Sequence, residues 1–246
     1  MQQDIIQEFI RETEEMGIAV SGEQAAQFDR YADMLVDWNE RVNLTRITEP
    51  QAICRGHFLD SIQPVRFTEL AGRSLIDIGT GAGFPGIPLK IMVPELSLTL
   101  LDALEKRCDF LRAVVSELRL DRPDAPVKIL HGRAEDYASA ATPDSLRGQF
   151  DHATSRAVAK LNILCEYAVP FLKTGGQFIA YKLDDGGEEL AQAAHAMEVL
   201  GAACDRTETY SLPDTEPERA LYFIRAVSPT PGKYPRRAGV PGKKPL

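Results

Sequence analysis

The sequence predicts an α/β fold built on a seven-stranded, mostly parallel sheet that ends in an antiparallel hairpin, with a helical extension in front. Three observations carry that reading. Apolar runs of strand length alternate with helical stretches from residue 74 to residue 200, the order that produces a parallel sheet covered on both faces. A turn holding four glycines, in SLIDIGTGAGFPG (74–86), joins the first apolar run to a helical stretch, as at the start of a βαβ unit that binds a nucleotide-like ligand. The last two strands, 204–212 and 220–228, have no helix between them and are expected to pair antiparallel.

Residues 2–16 and 23–42 show helical spacing. In the second stretch Ala25, Phe28, Tyr31, Ala32, Leu35, Val36 and Trp38 form one apolar face, and Ser21 is placed to cap it. Asn43-Leu44-Thr45 breaks the pattern, and Thr48-Glu49-Pro50 opens a further helix over 51–63. Residues 1–70 are therefore read as an extension packed on a main domain, 71–228. Within that domain the strands are 74–79, 97–102, 127–131, 150–156 and 177–182, and the helices 85–93, 105–119, 160–172 and 187–200. Pro85 and Pro88 suit the first turn of their helix and Pro94 ends it. The tail 229–246, PTPGKYPRRAGVPGKKPL, is too rich in Pro and Gly for regular structure.

A chain of 246 residues with 44% hydrophobic and 26% charged content buries a core without disulfides. No apolar run reaches membrane-spanning length, and MQQDIIQEF lacks a signal-peptide pattern, so a cytoplasmic location with no membrane partner is expected. Cys54, Cys108, Cys165 and Cys204 are far apart with no C-x-x-C pair, which fits buried free thiols rather than a metal site or disulfides. Charge is uneven. Residues 219–246 hold seven Lys/Arg and no acid, leaving 21 basic against 36 acidic residues elsewhere, a net of −15. A basic tail on an acidic body points to a polyanion contact or to a merely solvated tail.

The glycine turn narrows the ligand. A phosphate-gripping loop needs Gly-Lys-Ser/Thr, whereas Phe84-Pro85 follows Gly83. Gly81, Gly83 and Gly86 read G-x-G-x-x-G, the dinucleotide fingerprint. The same stretch reads Asp77-x-Gly79-x-Gly81-x-Gly83, which resembles motif I of class I S-adenosylmethionine (SAM) methyltransferases, a Rossmann-like fold. There an acid near the strand end accepts hydrogen bonds around the cationic amino-acid end of SAM, which NAD lacks. Asp102, followed by Ala103, ends the second strand about 20 residues after the glycines and suits the ribose hydroxyls of either ligand. Beyond the other strand ends lie Gly132-Arg133-Ala134-Glu135, Ser155-Arg156 and Lys182. Glu135 is placed to accept from an adenine amino group, or is a surface carboxylate. Arg156 is a ligand-cleft candidate, or the partner of Asp77 or Asp151 in an ion pair.

What is missing also bears on the chemistry. After the fourth strand the chain reads Ser155-Arg156-Ala157-Val158, without the Asn/Asp-Pro-Pro-aromatic loop used on exocyclic amines. No cysteine follows a proline, as methylation at pyrimidine C5 often requires. Guanine N7 needs neither device, because its lone pair attacks a sulfonium methyl directly and orientation does the catalysis.

Trp38-Asn39, Asn43-Leu44-Thr45, His57-Phe58-Leu59-Asp60-Ser61, DIGTGAGFPGIP (77–88), Gly132-Arg133-Ala134-Glu135, Ser155-Arg156-Ala157-Val158-Ala159 and KYPRRAGVP (233–241) span nearly the whole chain. Together they resemble the RsmG (GidB) family of bacterial 16S ribosomal RNA (guanine-N7) methyltransferases. One departure is Leu183, where the resemblance implies a glycine after Lys182. The resemblance implies a class I methyltransferase fold, SAM as cofactor, and a guanine in the decoding-region loop of 16S rRNA, in the 30S subunit, as acceptor. It places Gly79, Phe84, Ala134, Glu135 and Arg156 at the cofactor and establishes no chemical catalyst, leaving Arg156 and Lys182 as positioning candidates. For RNA the basic candidates are Lys233, Arg236 and Arg237 in the tail, with Arg46, Arg55 and Arg133 on the body; Tyr234 stacks on a base or anchors the tail. Two other readings stay open: an NAD-dependent oxidoreductase, and a non-catalytic SAM-binding RNA or ribosome assembly factor.

Overall fold

The computed structural model describes residues 3–215 and 217–246, so residue 2 of the expected first helix lies outside the described residues. Helices α1 (Gln3–Glu15) and α2 (Gly22–Asn39) open the chain. Ser21 starts α2 with a capping box: its Oγ accepts from Gln24 N at 3.2 Å, and Gln24 Oε1 accepts from Ser21 N at 2.8 Å. Ala25, Phe28, Tyr31, Ala32 and Leu35 are buried as the spacing predicts, but Val36 is exposed and Trp38 only partly covered. The apolar stripe is thus narrower than the sequence suggests, because only one side of α2 meets the body.

The helix expected over 51–63 is not uniform. It runs as α3 (Pro50–Ile53), a wide π turn (Cys54–Leu59), α4 (Asp60–Ile62) and a 3₁₀ turn (Gln63–Arg66). Wide turns of this kind re-aim side chains and carbonyls. Here one carbonyl in the turn, that of Gly56, accepts from Arg156.

The alternating part comprises β1 (Ser74–Ile78), α5 (Gly86–Met92), β2 (Ser97–Asp102), α6 (Glu105–Glu117), β3 (Val127–His131), α7 (Ala134–Tyr137), β4 (Phe150–Arg156), α8 (Leu161–Ala168), β5 (Leu172–Leu183), α9 (Glu188–Gln192), α10 (Ala194–Leu200), β6 (Ala202–Tyr210) and β7 (Arg219–Ala226). The sheet order is β3-β2-β1-β4-β5-β7-β6. β1 to β5 are parallel, and β7 enters antiparallel between β5 and β6.

Four local differences follow, and the first two have a visible physical cause. The helix expected over 160–172 gives way to a 3₁₀ turn at Val169–Phe171, where Pro170 lacks a donor. β5 begins at Leu172 because the chain bulges at Gly176, where a Cβ would sit 2.9–3.1 Å from the backbone oxygens of Phe150, Asp151 and Lys173. The tail, expected to lack regular structure, holds one helical turn, α11 (Val240–Lys243). The helix expected over 187–200 is also interrupted, at Ala193.

Alternation along the strands divides the core. Leu75, Leu98 and Leu100 face one side with Phe9, Phe28, Tyr31 and Phe58 of the extension. Ile76, Ile78 and Leu101 face the other with α8, α10 and Tyr234 of the tail. The extension therefore shares a core with the sheet.

Candidate active site

The carboxyl ends of β1, β2 and β4 converge on the glycine turn. Gly79 N donates to Leu101 O at 2.8 Å and Gly83 N to Thr80 O at 2.9 Å. Gly81 has φ +62°, and a Cβ there would meet nothing within 4 Å, because it would project into the cleft. Gly83 serves packing instead: a Cβ would lie 2.5 Å from Ile87 and 2.6 Å from the Tyr31 hydroxyl. That hydroxyl donates to Ala82 O, and the Tyr31 and Phe84 rings stack at 5.4 Å, so α2 holds the turn from behind.

Two carboxylates shape the turn from below. Asp77 is fully buried; its Oδ2 accepts from Thr80 Oγ1 at 2.6 Å and Gly86 N at 2.9 Å, while Oδ1 is buried without a partner among the described residues. Burial pushes its pKa up to about 6, against the opposing hydrogen bonds of Thr80 and Gly86. Asp102 Oδ2 accepts from Gly81 N and Oδ1 from Leu104 N, both at 2.9 Å.

These residues border a cavity of about 490 Å³, walled by Gly79, Gly81, Phe84, Asp102, Ala103 and Arg156. Leu44, Thr80, Leu104, Arg107, Ala157 and Val158 also reach it; none of these six was singled out from the sequence as a ligand contact. Leu44 and Val158 lie in motifs that marked the family, but their chemistry gives no sign of a ligand. Asp77, Gly83, Ala134 and Glu135 do not line the cavity: the first two build the turn, and the last two sit one strand further out. A larger cavity, about 550 Å³, opens at the opposite end of the sheet between Arg73, Asp151, Lys173 and Arg225. Its glycines, Gly175 and Gly176, belong to the bulge near the start of β5, and ligands of open parallel sheets lie at the carboxyl edge.

Arg156 closes the site on the extension side. Its guanidinium donates to Asp60 Oδ2 at 2.6 Å and Gly56 O at 3.0 Å, meets His57 Nδ1 at 3.2 Å, and lies 5.2 Å from the Phe84 ring centroid. Its partner is thus Asp60, not Asp77 or Asp151. Tyr210 donates to Asp60 Oδ1 at 2.7 Å and Tyr181 to Ser61 O at 2.6 Å. The HFLDS stretch is therefore a latch that fastens the extension to β4, β5 and β6.

His57 stacks on Phe84 with ring centroids 4.3 Å apart, and its Nε2 pairs with Thr45 Oγ1 at 2.8 Å. Burial, then the Arg156 cation, pushes its pKa down to about 3. Stability from the neutral ring is fully present above the ordinary value near 6.5 and is lost as pH falls toward 3, at about 1.4 kcal/mol per pH unit. His57→Gln should flatten that acid limb in a pH series of denaturant unfolding curves. Parallel curves for the two proteins would refute the assignment.

A family model described as rRNA small subunit methyltransferase G matches residues 24–219. The chain belongs to this family. Proteins named ribosomal RNA small subunit methyltransferase G are 48% identical in Desulfitobacterium hafniense, over 94% of this chain and 93% of that one. The protein of that name in Lactobacillus johnsonii is 43% identical, over 97% and 98%. The fold matches M. jannaschii TYW2 in complex with AdoMet, with TM-score 0.57, 11% identity and coverage of 76% of this chain and 80% of that one. It also matches an O-methyltransferase from Bacillus cereus in complex with SAH, with TM-score 0.54, 17% identity and coverage of 80% and 91%. The chain has the class I methyltransferase architecture and is a methyltransferase of the small-subunit rRNA family.

Other family motifs turn out to fasten the tail. Arg236 was expected to face RNA with no acid nearby. Instead it grips the buried Glu166, with Nη2 2.6 Å from Oε2 and its own backbone N 2.8 Å from Oε1. Gly239 N donates to Glu135 Oε1 at 3.0 Å, so Glu135 is neither a free surface carboxylate nor a cavity wall. Arg147 donates to the carbonyls of Thr230, Pro231 and Tyr234. Tyr234 is buried and anchors the tail. Glu166 and Arg147 lie 70 and 87 positions from the residues they hold, which no local pattern reveals. Arg55 is likewise taken up inside the protein, by Glu8, Glu12 and Asp214. Arg46, Arg133, Lys233 and Arg237 are exposed.

Lys182 Nζ pairs with Glu189 Oε1 at 2.7 Å and donates to Ala159 O at 3.1 Å. Burial pushes the Cys54 and Cys165 thiols up to about 12, which keeps them protonated and poor nucleophiles. Among the described residues no group of side chains is arranged to hold a metal, and no helix is long and apolar enough to cross a membrane.

Proposed function

We propose that the chain methylates N7 of a guanine in the decoding-region loop of 16S rRNA, using SAM and acting in the cytoplasm on the 30S subunit. The observation that carries this reading is the glycine turn with Asp102 at its rim, bordering the 490 Å³ cavity at the carboxyl edge of the sheet. The residues present suit SAM. Gly81 leaves backbone open where a side chain would intrude, Asp102 offers acceptors for ribose hydroxyls, and Phe84 and Ala103 supply apolar wall. SAM, when bound, would supply a methyl group on a sulfonium, which the N7 lone pair would take as the S–CH₃ bond breaks, with the positive charge passing to the purine and no proton leaving. The side chains therefore orient rather than exchange protons. Arg156 is held rigid by Asp60 and Gly56, and His57 stays neutral at working pH.

Methyl-labelled SAM, incubated with 30S subunits from a strain lacking the modification, should yield 7-methylguanosine in the 16S rRNA by nucleoside mass spectrometry. SAM and RNA binding without transfer would instead favour an assembly factor, and NAD binding without SAM binding an oxidoreductase. Asp102→Ala should weaken SAM binding by about 1.5–3 kcal/mol, the scale of a hydrogen bond to a charged group; calorimetric titration reads it, and unchanged affinity removes Asp102 from the site.

RNA meets Arg46, Arg133, Lys233 and Arg237, while Arg236 keeps the tail in place. Reversal of Lys233 and Arg237 to glutamate should flatten the salt dependence of rRNA binding by about one unit of slope per lost phosphate contact, with SAM affinity unchanged. An unaltered slope would move the RNA face elsewhere.

A further inference from the structure

Beside the cofactor cavity lies a second one of about 450 Å³ at the same edge of the sheet. The two share Arg156 and Ala157, and the far wall of the second is made by Lys182, Leu183, Glu189 and Arg219. Its polar groups are incompletely used. Glu189 Oε1 takes both Lys182 Nζ and Leu161 N, each at 2.7 Å, while Oε2 makes no hydrogen bond with the described residues. Arg219 Nε is buried with no partner among the described residues. A buried, unanswered donor in a cavity wall is costly unless a ligand completes it. Leu183, the departure from the family pattern, stands at this mouth as an exposed apolar side chain.

We propose that this second cavity is the acceptor pocket and that Glu189 Oε2 reads the target guanine; this rests on the guanine-N7 reading above. A guanine whose N7 faces the cofactor cavity turns its N1–H and N2–H₂ edge to the opposite wall. Both groups on that edge are donors, and a carboxylate is their complement. Adenine presents an acceptor at N1 there and is repelled. Lys182 and Leu161 N fix the orientation of Glu189, so Lys182 is a positioning residue. Arg219 offers its donor to the nucleotide that enters.

The test uses the full chain and 30S subunits reconstituted with guanosine or inosine at the methylated position; inosine lacks only the 2-amino group. Single-turnover transfer by the parent protein should be roughly 10- to 100-fold faster to guanosine. Glu189→Gln should cut the guanosine rate toward the inosine rate, with SAM affinity by titration unchanged. Equal discrimination in parent and variant overturns the pocket assignment and leaves the function standing; no transfer by the parent to either substrate overturns both. A second measurement spares Glu189. A photoreactive p-benzoylphenylalanine at Leu183 should crosslink to the target nucleotide or its immediate neighbours, and crosslinks confined to distant rRNA positions overturn the proposal.

Discussion

Arg156→Ala is expected to lower the unfolding free energy by about 3–5 kcal/mol and to abolish methyl transfer. The stability loss follows from what remains. Asp60, with its side chain 3% exposed, keeps the Tyr210 hydroxyl and, among the described residues, no cation when the guanidinium at 2.6 Å is removed. A buried carboxylate stripped of its cation is among the costliest single lesions in a folded chain. The carbonyl of Gly56 in the π turn loses its donor as well. Function fails for a second reason, since Arg156 walls both cavities at the carboxyl edge. Adding Asp60→Asn separates the two effects. The double variant should regain most of the stability, because no buried charge is left unpaired, yet still bind SAM poorly. Denaturant unfolding and SAM titration of the three proteins read this directly. Full SAM affinity in the stabilised double variant would reduce Arg156 to a structural latch. Arg156→Lys should fall between, because an ammonium cannot reach Asp60, Gly56 and His57 together as the planar fork does.

Gly81→Val should eliminate detectable SAM binding while leaving a folded protein. Its φ of +62° lies where a β-carbon costs about 1–2 kcal/mol, a bearable loss for a chain of this size. Nothing opposes the new β-carbon, since among the described residues no atom beyond the chain neighbours lies within 4 Å of it. The valine therefore stands in the cavity itself, over the amide that Asp102 holds at 2.9 Å. Saturating SAM should raise the melting temperature of the parent by mass action and that of the variant not at all. Gly83→Ala is the contrast: its β-carbon meets Ile87 and the Tyr31 hydroxyl at 2.5–2.6 Å, so it should unsettle packing behind the turn. A normal SAM-induced shift in Gly81→Val would exclude the turn as the cofactor cradle.

The α/β alternation, the parallel order of the first five strands and the closing hairpin were legible because each rests on local periodicity and on glycine and proline positions. The strand ends read from the sequence brought Gly79, Gly81, Phe84, Asp102, Ala103 and Arg156 to one cavity, since residues at the carboxyl ends of parallel strands share an edge. Local pattern did not reveal what each polar group touches. Arg156 finds Asp60 at a separation of 96 residues, Arg147 holds the tail across 87, and Arg236 meets Glu166 across 70. Charge and composition made Arg55, Arg236 and Glu135 look like surface or ligand groups. The packing of the extension and the tail against the body turned each of them inward. Sequence alone determined the class of fold, the edge of the sheet at which the glycine-turn cavity opens, and half of the residues that line it. Tertiary structure decided which charges are neutralised within the protein and which stay exposed, because ion pairing depends on distances of a few ångströms that chain separation does not encode.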